Sequence, residues 1–289
     1  MPAVGQLDVG GYLARLGLDH PGAPSVEALR RLHRAHVERV PYENLDIQLG
    51  RPTTVDPIES AERIVRRRRG GYCYHLNGAF SELLLALGYD VTRHLGGVQR
   101  GESDAPSISG AHMALTVRGL ADESCPGGIW MLDVGLGSAL YEPLPLYEGE
   151  HTQGPFSYRL RPSRVEADAW RFDHAVGVGF VGMDFQRRST GLEAFSPIHE
   201  VLSTAPDSPF VRVATAQRRH ARGCDILRGL ILTRIGPSDR TVTVLEDRGE
   251  WFGALADTFG LPLDDVGARD RERLWSRVAS AHAAFAASA

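Results

Sequence analysis

The sequence contains no lysine; all 32 basic residues among its 289 are arginine. That excludes a lysine Schiff base and a lysine general base, and it fits the codon bias of a GC-rich genome. Cysteine is nearly as scarce. Cys73, Cys125 and Cys224 form no C-x-x-C pair and no disulfide framework, which points to a reduced, cytoplasmic setting. No apolar run approaches the roughly 20 residues of a membrane span. Residues 1–5 lack the basic-then-apolar start of a secretory signal. The net charge is −4 with both signs spread along the chain, so no segment reads as a nucleic-acid surface. Metal binding is not expected, because no H-x-x-x-H or H-E-x-x-H occurs and the histidines are scattered. Gly96-Gly97 and Gly127-Gly128 lack the fuller pattern of a phosphate or dinucleotide loop.

What is present is 43% hydrophobic residues, enough for a substantial core and more than one compact unit. Up to about Gly88 the chain reads as helical. Leu29, Leu32 and Val37 fall at helical spacing behind Ser25 as a cap. A second helix starts at Pro57, with Asp56 as its N-cap. A third runs from Cys73 and stops at Gly88. From Tyr89 the pattern changes to short strands at 91–95, 112–117, 129–134, 158–160 and 170–172. That spacing suggests a small barrel or sandwich rather than βαβ units. A short helix at 197–202 leads into a hairpin of strands 211–217 and 226–233, then a strand at 241–245. Helices at 251–259 and from Asp270 to about Ala286 close the chain.

One stretch stands out for chemistry: Arg69-Gly70-Gly71-Tyr72-Cys73-Tyr74-His75-Leu76-Asn77. It puts a thiol behind two glycines and at the head of an apolar helix, where free N–H groups and the positive end of the helix dipole favour a thiolate. A nucleophilic thiol needs a base, and the base needs an orienting group. His112 opens an apolar strand in Gly110-Ala111-His112-Met113-Ala114, where a loop-to-strand junction exposes an imidazole edge. Asp133 lies inside an otherwise apolar strand, and a carboxylate there is costly unless paired. If the two strands are neighbours, the side chains meet. Gly135 and Gly137 allow close backbone approach. Each residue alone has a structural reading: Cys73 as a small buried hydrophobe, His112 as one of 11 histidines, Asp133 as a strand-end turn residue. The joint pattern carries the argument. His75, two positions after Cys73 on the same helix, faces away from the thiol. Cys125 and Cys224 begin no apolar helix.

These motifs resemble the arylamine N-acetyltransferase family nearly end to end. Pro41-Tyr42-Glu43-Asn44-Leu45 is similar to the family's Pro-Phe-Glu-Asn-Leu segment. Arg69 to Cys73 with Asn77, Gly110-Ala111-His112, and Asp133-Val134-Gly135-Leu136-Gly137 are similar to its cysteine, histidine and aspartate motifs. The resemblance implies an α+β fold of three domains with a cysteine-protease-like catalytic core. Residues 1–88 would be a helical bundle carrying the nucleophile and 89–193 a β-barrel carrying His112 and Asp133. Residues 194–289 would form an interdomain helix, an α/β lid and the C-terminal helix.

It further implies acetyl transfer from acetyl-CoA to arylamines, hydrazines and arylhydroxylamines by a ping-pong mechanism through acetyl-Cys73, with no bound cofactor. Tyr42, Gly135 and Leu136 would contact the acceptor; Ser109, Gly110 and Gly137 would contact the acyl donor; Arg69 and Glu43 would brace the site. Two departures bear on the acceptor: Leu136 stands where the family usually has Phe, and Tyr42 replaces another Phe. His75 stands where an acidic residue is common. Two alternatives share the triad: a macrolactam-forming amide synthase acting on a carrier-bound polyketide, and a cysteine hydrolase.

Overall fold

The computed structural model describes residues 5–174 and 179–288, so the reading of the first four residues lies outside it. The N-terminal part holds helices α1 (Val9–Arg15), α2 (Val26–Arg39), α3 (Leu45–Gln48), α4 (Pro57–Arg66) and α5 (Cys73–Ala86), interrupted by the two-residue strand β1 (Tyr42–Glu43). Their starts follow local chemistry. The Ser25 hydroxyl accepts from the Ala28 N–H, and the Asp56 carboxylate accepts from the Ile58 and Glu59 N–H groups just ahead of Pro57. Tyr12, Leu29, Leu32, Ile64, Phe80, Leu83 and Leu84 are fully buried where these helices meet.

An eight-stranded antiparallel sheet follows, built from β2 (Asp90–Gln99), β3 (His112–Arg118), β4 (Trp130–Leu132), β5 (Leu144–Pro145), β6 (Gly149–Gln153), β7 (Phe156–Pro162), β8 (Trp170–His174) and β9 (Gly182–Phe185). Its order is β5-β4-β3-β2-β9-β8-β7-β6, which curls β5 round toward β6. No backbone ladder joins those two edges. Instead Gln153 of β6 stitches them: its Oε1 accepts from the Tyr141 and Glu142 N–H groups (2.8 and 3.2 Å) and its Nε2 donates to the Glu142 carbonyl (2.9 Å). The sheet is thus a nearly closed barrel, filled by Phe156, Tyr158, Leu160, Phe172, Met183 and Phe185.

Helices α6 (Ser196–Thr204) and α7 (Pro209–Arg212) lead to a second sheet of β10 (Thr215–His220), β11 (Gly223–Arg228), β12 (Ile231–Ile235) and β13 (Arg240–Val244). Helices α8 (Arg248–Gly253) and α9 (Ala268–Ser288) follow, and Trp251, Leu255, Phe259, Leu274 and Val278 pack with the sheet's Leu227 and Leu232.

Several sequence expectations are corrected. Residues 226–233 are not one strand: Gly229 and Leu230 form a turn that splits β11 from β12. Residues 211–214 are not strand, because Pro209 starts a helical turn capped by the Ser208 hydroxyl. The strand expected over 129–134 ends at Leu132, leaving Asp133 just past it. The part before Gly88 is not wholly helical, since β1 pairs with β10 and so ties it into the second sheet.

Candidate active site

Four segments distant in sequence converge at the start of α5. The loop before it is pinned by Arg69, which is 1% exposed. Its guanidinium meets Glu43 (Nε–Oε1, 3.2 Å), Asp46 (Nη2–Oδ1, 3.2 Å) and Asp265 (Nη1–Oδ2, 3.3 Å). Burial would lower the Arg69 pKa, but these carboxylates raise it, so the group is held charged. Asp46 in turn is raised by burial. Arg66, Arg67 and Arg68 are exposed and have no comparable role. Gly70 is required by packing: a Cβ there would lie 1.8 Å from the Pro41 carbonyl oxygen. The Gly71 carbonyl then accepts from the Glu43 N–H at 2.9 Å. Pro41 to Glu43 and Arg69 to Cys73 are therefore one built unit.

Cys73 is the first residue of α5 and 3% exposed. As in any helix, its first-turn N–H groups have no intrahelical partner. His75, at the third position, accepts from the Tyr72 N–H through Nδ1 (3.3 Å). An imidazole thereby does the work that an acidic side chain does in a capping box. Burial, Arg63 and His199 hold His75 well below the usual histidine pKa, so the ring is neutral and can accept.

His112 and Cys73 line the same cavity, and Cys73 is among the groups that shift the imidazole; the thiol itself donates to the Ala111 carbonyl at 3.8 Å. His112 Nε2 lies 2.6 Å from Asp133 Oδ2, so Nδ1 is the nitrogen left for sulfur. β3 and β4 are hydrogen-bonded neighbours, which is why His112 and the residue just past β4 meet. Both side chains are buried. Burial would lower the His112 pKa; the charges of Asp133 and Cys73 outweigh it and raise the value to about 10.

Asp133 Oδ1 accepts from Asn77 Nδ2 (2.8 Å) and from the Gly135 N–H (2.9 Å). Asn77 also donates to the Met113 carbonyl (2.6 Å) and accepts from the Val134 N–H (2.9 Å). It locks α5 to both barrel segments. His33 on α2 adds a further contact: the Asp133 N–H donates to its Nε2 (3.3 Å), while its Nδ1 donates to the Tyr141 carbonyl (3.0 Å). In the sequence Asn77 stands out only as part of a motif, and His33, Asp46 and Asp265 carry no mark of a role at the site. Their partners lie up to 196 residues away, and only the adjacency of Asn77 to the cysteine motif was a usable signal.

Gly135 sits against the nucleophile. A Cβ there would come within 2.7 Å of Cys73 Cα and 2.9 Å of Asn77 Nδ2. Tyr42, Gly135 and Leu136 all line a cavity of about 200 Å³ over Cys73 and His112, with Phe180, Phe210 and Gln217 among its other walls. Ser109, Gly110 and Gly137 lie outside that lining. Ser109 is exposed, the Gly110 carbonyl accepts from the Tyr74 hydroxyl (2.7 Å), and Gly137 abuts Gln217.

The other two thiols sit elsewhere: Cys125 donates to the Ile129 carbonyl (3.2 Å) and burial pushes Cys224 up to about 12. Among the described residues no group of three or more His, Cys, Asp or Glu could hold a metal, and no helix is long and apolar enough to cross a membrane.

Fold and site together define an acyltransferase. Residues 25–267 match the family model described as N-acetyltransferase. An arylamine N-acetyltransferase of Mycolicibacterium smegmatis is 32% identical over 282 residues, covering 91% of this chain and 95% of its own. The solved structure of Mycobacterium marinum arylamine N-acetyltransferase in complex with CoA has a TM-score of 0.83 at 30% identity, over 94% of this chain and 98% of that one. That from Nocardia farcinica has a TM-score of 0.80 at 31% identity, over 93% and 94%. The chain belongs to the arylamine N-acetyltransferase family.

Proposed function

We propose that this chain transfers the acetyl group of acetyl-CoA to the nitrogen of arylamines and hydrazines, and to the oxygen of arylhydroxylamines, through an acetyl-Cys73 thioester. The observation that carries the reading is the Cys73 thiol sharing one cavity with an imidazole whose Nε2 is 2.6 Å from a buried carboxylate. With His112 raised to about 10, the resting site at neutral pH is an imidazolium beside sulfur. Cys73 sulfur attacks the acetyl carbon, the C–S bond to CoA breaks, and His112 gives its proton to the departing CoA sulfur. A neutral amine then attacks the acetyl carbon. Its proton passes to His112 as the bond to Cys73 breaks, which restores the starting pair. Asp133 holds one tautomer and stabilises the imidazolium. Each attack makes an oxyanion, and the Cys73 N–H, which has no intrahelical partner at the start of α5, is the donor assigned to it.

The small cavity suits a substituted aromatic ring and leaves little room for a polyketide chain. Tyr42 and Leu136 are its acceptor-facing walls. Ser109, Gly110 and Gly137 are kept as contacts of the longer acyl donor outside it. Arg69 and Glu43 brace the loop that carries the nucleophile. We read the chain as three units, 1–88, 89–193 and 194–289, with a cysteine-protease-like core at the first junction, and place its work in the cytoplasm. Initial rates with acetyl-CoA and an arylamine test the scheme: double-reciprocal plots should be parallel. Intersecting lines would mean direct transfer in a ternary complex.

A further inference from the structure

The cavity over Cys73 carries unbalanced charge. Arg100, directly after β2, and Arg228, the last residue of β11, both line it, one from each sheet. None of its described lining residues is Asp or Glu. Both side chains are exposed at the mouth of the cavity, and among the described residues neither guanidinium has an ion pair or a hydrogen bond to the protein, so both are free to meet a ligand. Arginine is charged at any working pH. The two charges act at the reaction centre: both oppose the rise in the Tyr42 pKa that burial and Cys73 cause.

Two unneutralised cations in a cleft with apolar walls focus a positive potential and draw anions in. The size of the space says which anion. About 200 Å³ holds a substituted ring, well below the roughly 300–1,000 Å³ of pockets for larger ligands. Coenzyme A carries its phosphates at the far end of the pantetheine arm from the thioester. An anion held beside Tyr42, over Cys73, therefore belongs to the acceptor.

We propose that Arg100 and Arg228 are specificity-determining residues that bind an anionic substituent of the acceptor, making carboxylate-bearing arylamines the preferred acceptors. The inference rests on the acetyl-transfer reading above. A carboxylate can accept from a guanidinium at the cavity mouth, while the apolar faces of Leu136, Phe180 and Phe210 take the ring.

The test uses p-nitrophenyl acetate, a donor without phosphates, and compares 3- and 4-aminobenzoate with 3- and 4-aminobenzamide, their neutral counterparts. The wild type should favour at least one acid over its amide by about tenfold in kcat/KM, the scale of one charge-assisted hydrogen bond. In the R100Q/R228Q variant that ratio should fall to within about threefold. Equal rates for acid and amide in the wild type would overturn the proposal without any variant. So would a preference that survives both substitutions. In a parallel series with acetyl-CoA as donor, a raised KM for acetyl-CoA in the variant with the acid-to-amide ratio intact would assign the arginines to the donor's phosphates, and would overturn it equally. Failure of the underlying reading looks different: the wild type would then form no acetylated arylamine from either donor.

Discussion

Replacing Gly135 by alanine tests whether the nucleophile is held by packing as well as by its helix. The new Cβ would stand 2.7 Å from Cys73 Cα, a backbone atom that cannot rotate away. Two carbons prefer about 3.5 Å or more. The strand end and α5 must therefore part by about 0.8 Å, which moves Cys73 relative to His112. A displacement of about 1 Å at reacting groups costs up to ~10²-fold in rate, and overpacking of this kind costs about 1–3 kcal/mol. The 2.9 Å approach to Asn77 Nδ2 adds to the strain by pressing on the side chain that holds Asp133. Stopped-flow release of CoA should show acetylation slowed by roughly 30-fold or more, with a lower denaturation midpoint. Gly127→Ala is the control, because nothing lies within 4 Å of a Cβ there. A Gly135→Ala protein that acetylates as fast as the control would refute the packing argument.

Other perturbations follow from the same contacts. Arg69→Met leaves Glu43 and Asp46 buried without their main cation, so urea denaturation should show a loss of about 3–5 kcal/mol; a loss under 1 kcal/mol would contradict the buried cluster. Asn77→Ala strips the Val134 N–H of its acceptor and frees Asp133 Oδ1, which should cost about 1–3 kcal/mol and slow acetylation. Unchanged stability and rate would remove Asn77 from the account. The pH dependence of stability has a defined sign. Burial lowers His33, His94 and His174 from 6.5 to about 4, so the unfolded chain takes up those protons first. Their contribution is complete above pH 6.5 and is lost as pH falls toward 4. The urea midpoint should drop across that window, and His33→Gln should flatten the drop; equal slopes in both proteins would exclude a neutral His33.

Much of this was legible locally. The Asp56-Pro57 start of α4 and the Cys73 start of α5 depend on neighbours in sequence, and both stand where the sequence put them. The meeting of His112 with Asp133 followed from two short apolar strands joined by a turn. What failed was set by pairing and packing that no hydrophobic pattern marks. Residues 226–233 look like one apolar strand, and only the folding of β12 back onto β11 reveals the turn at Gly229. β6, Gly149–Gln153, was not foreseen because its residues are polar and only half covered, held by pairing with β7. Asp133 lies just past β4 rather than within a strand, and its carboxylate is engaged by Asn77, Gly135 and His112. Arg69 could be tied to Glu43 only through a resemblance. Asp46 and Asp265 could not be found at all, since nothing local marks Asp265 as a neighbour of a residue 196 positions earlier.

The central claim is that Cys73 carries the acetyl group between donor and acceptor. Intact-mass measurement after mixing the protein with acetyl-CoA, with no acceptor present, addresses it directly. The account predicts one added acetyl group on the wild type, none on Cys73→Ala, and loss of the adduct when an arylamine is added. An unmodified wild type that still yields acetylated amine, or an adduct that persists in Cys73→Ala, would contradict it.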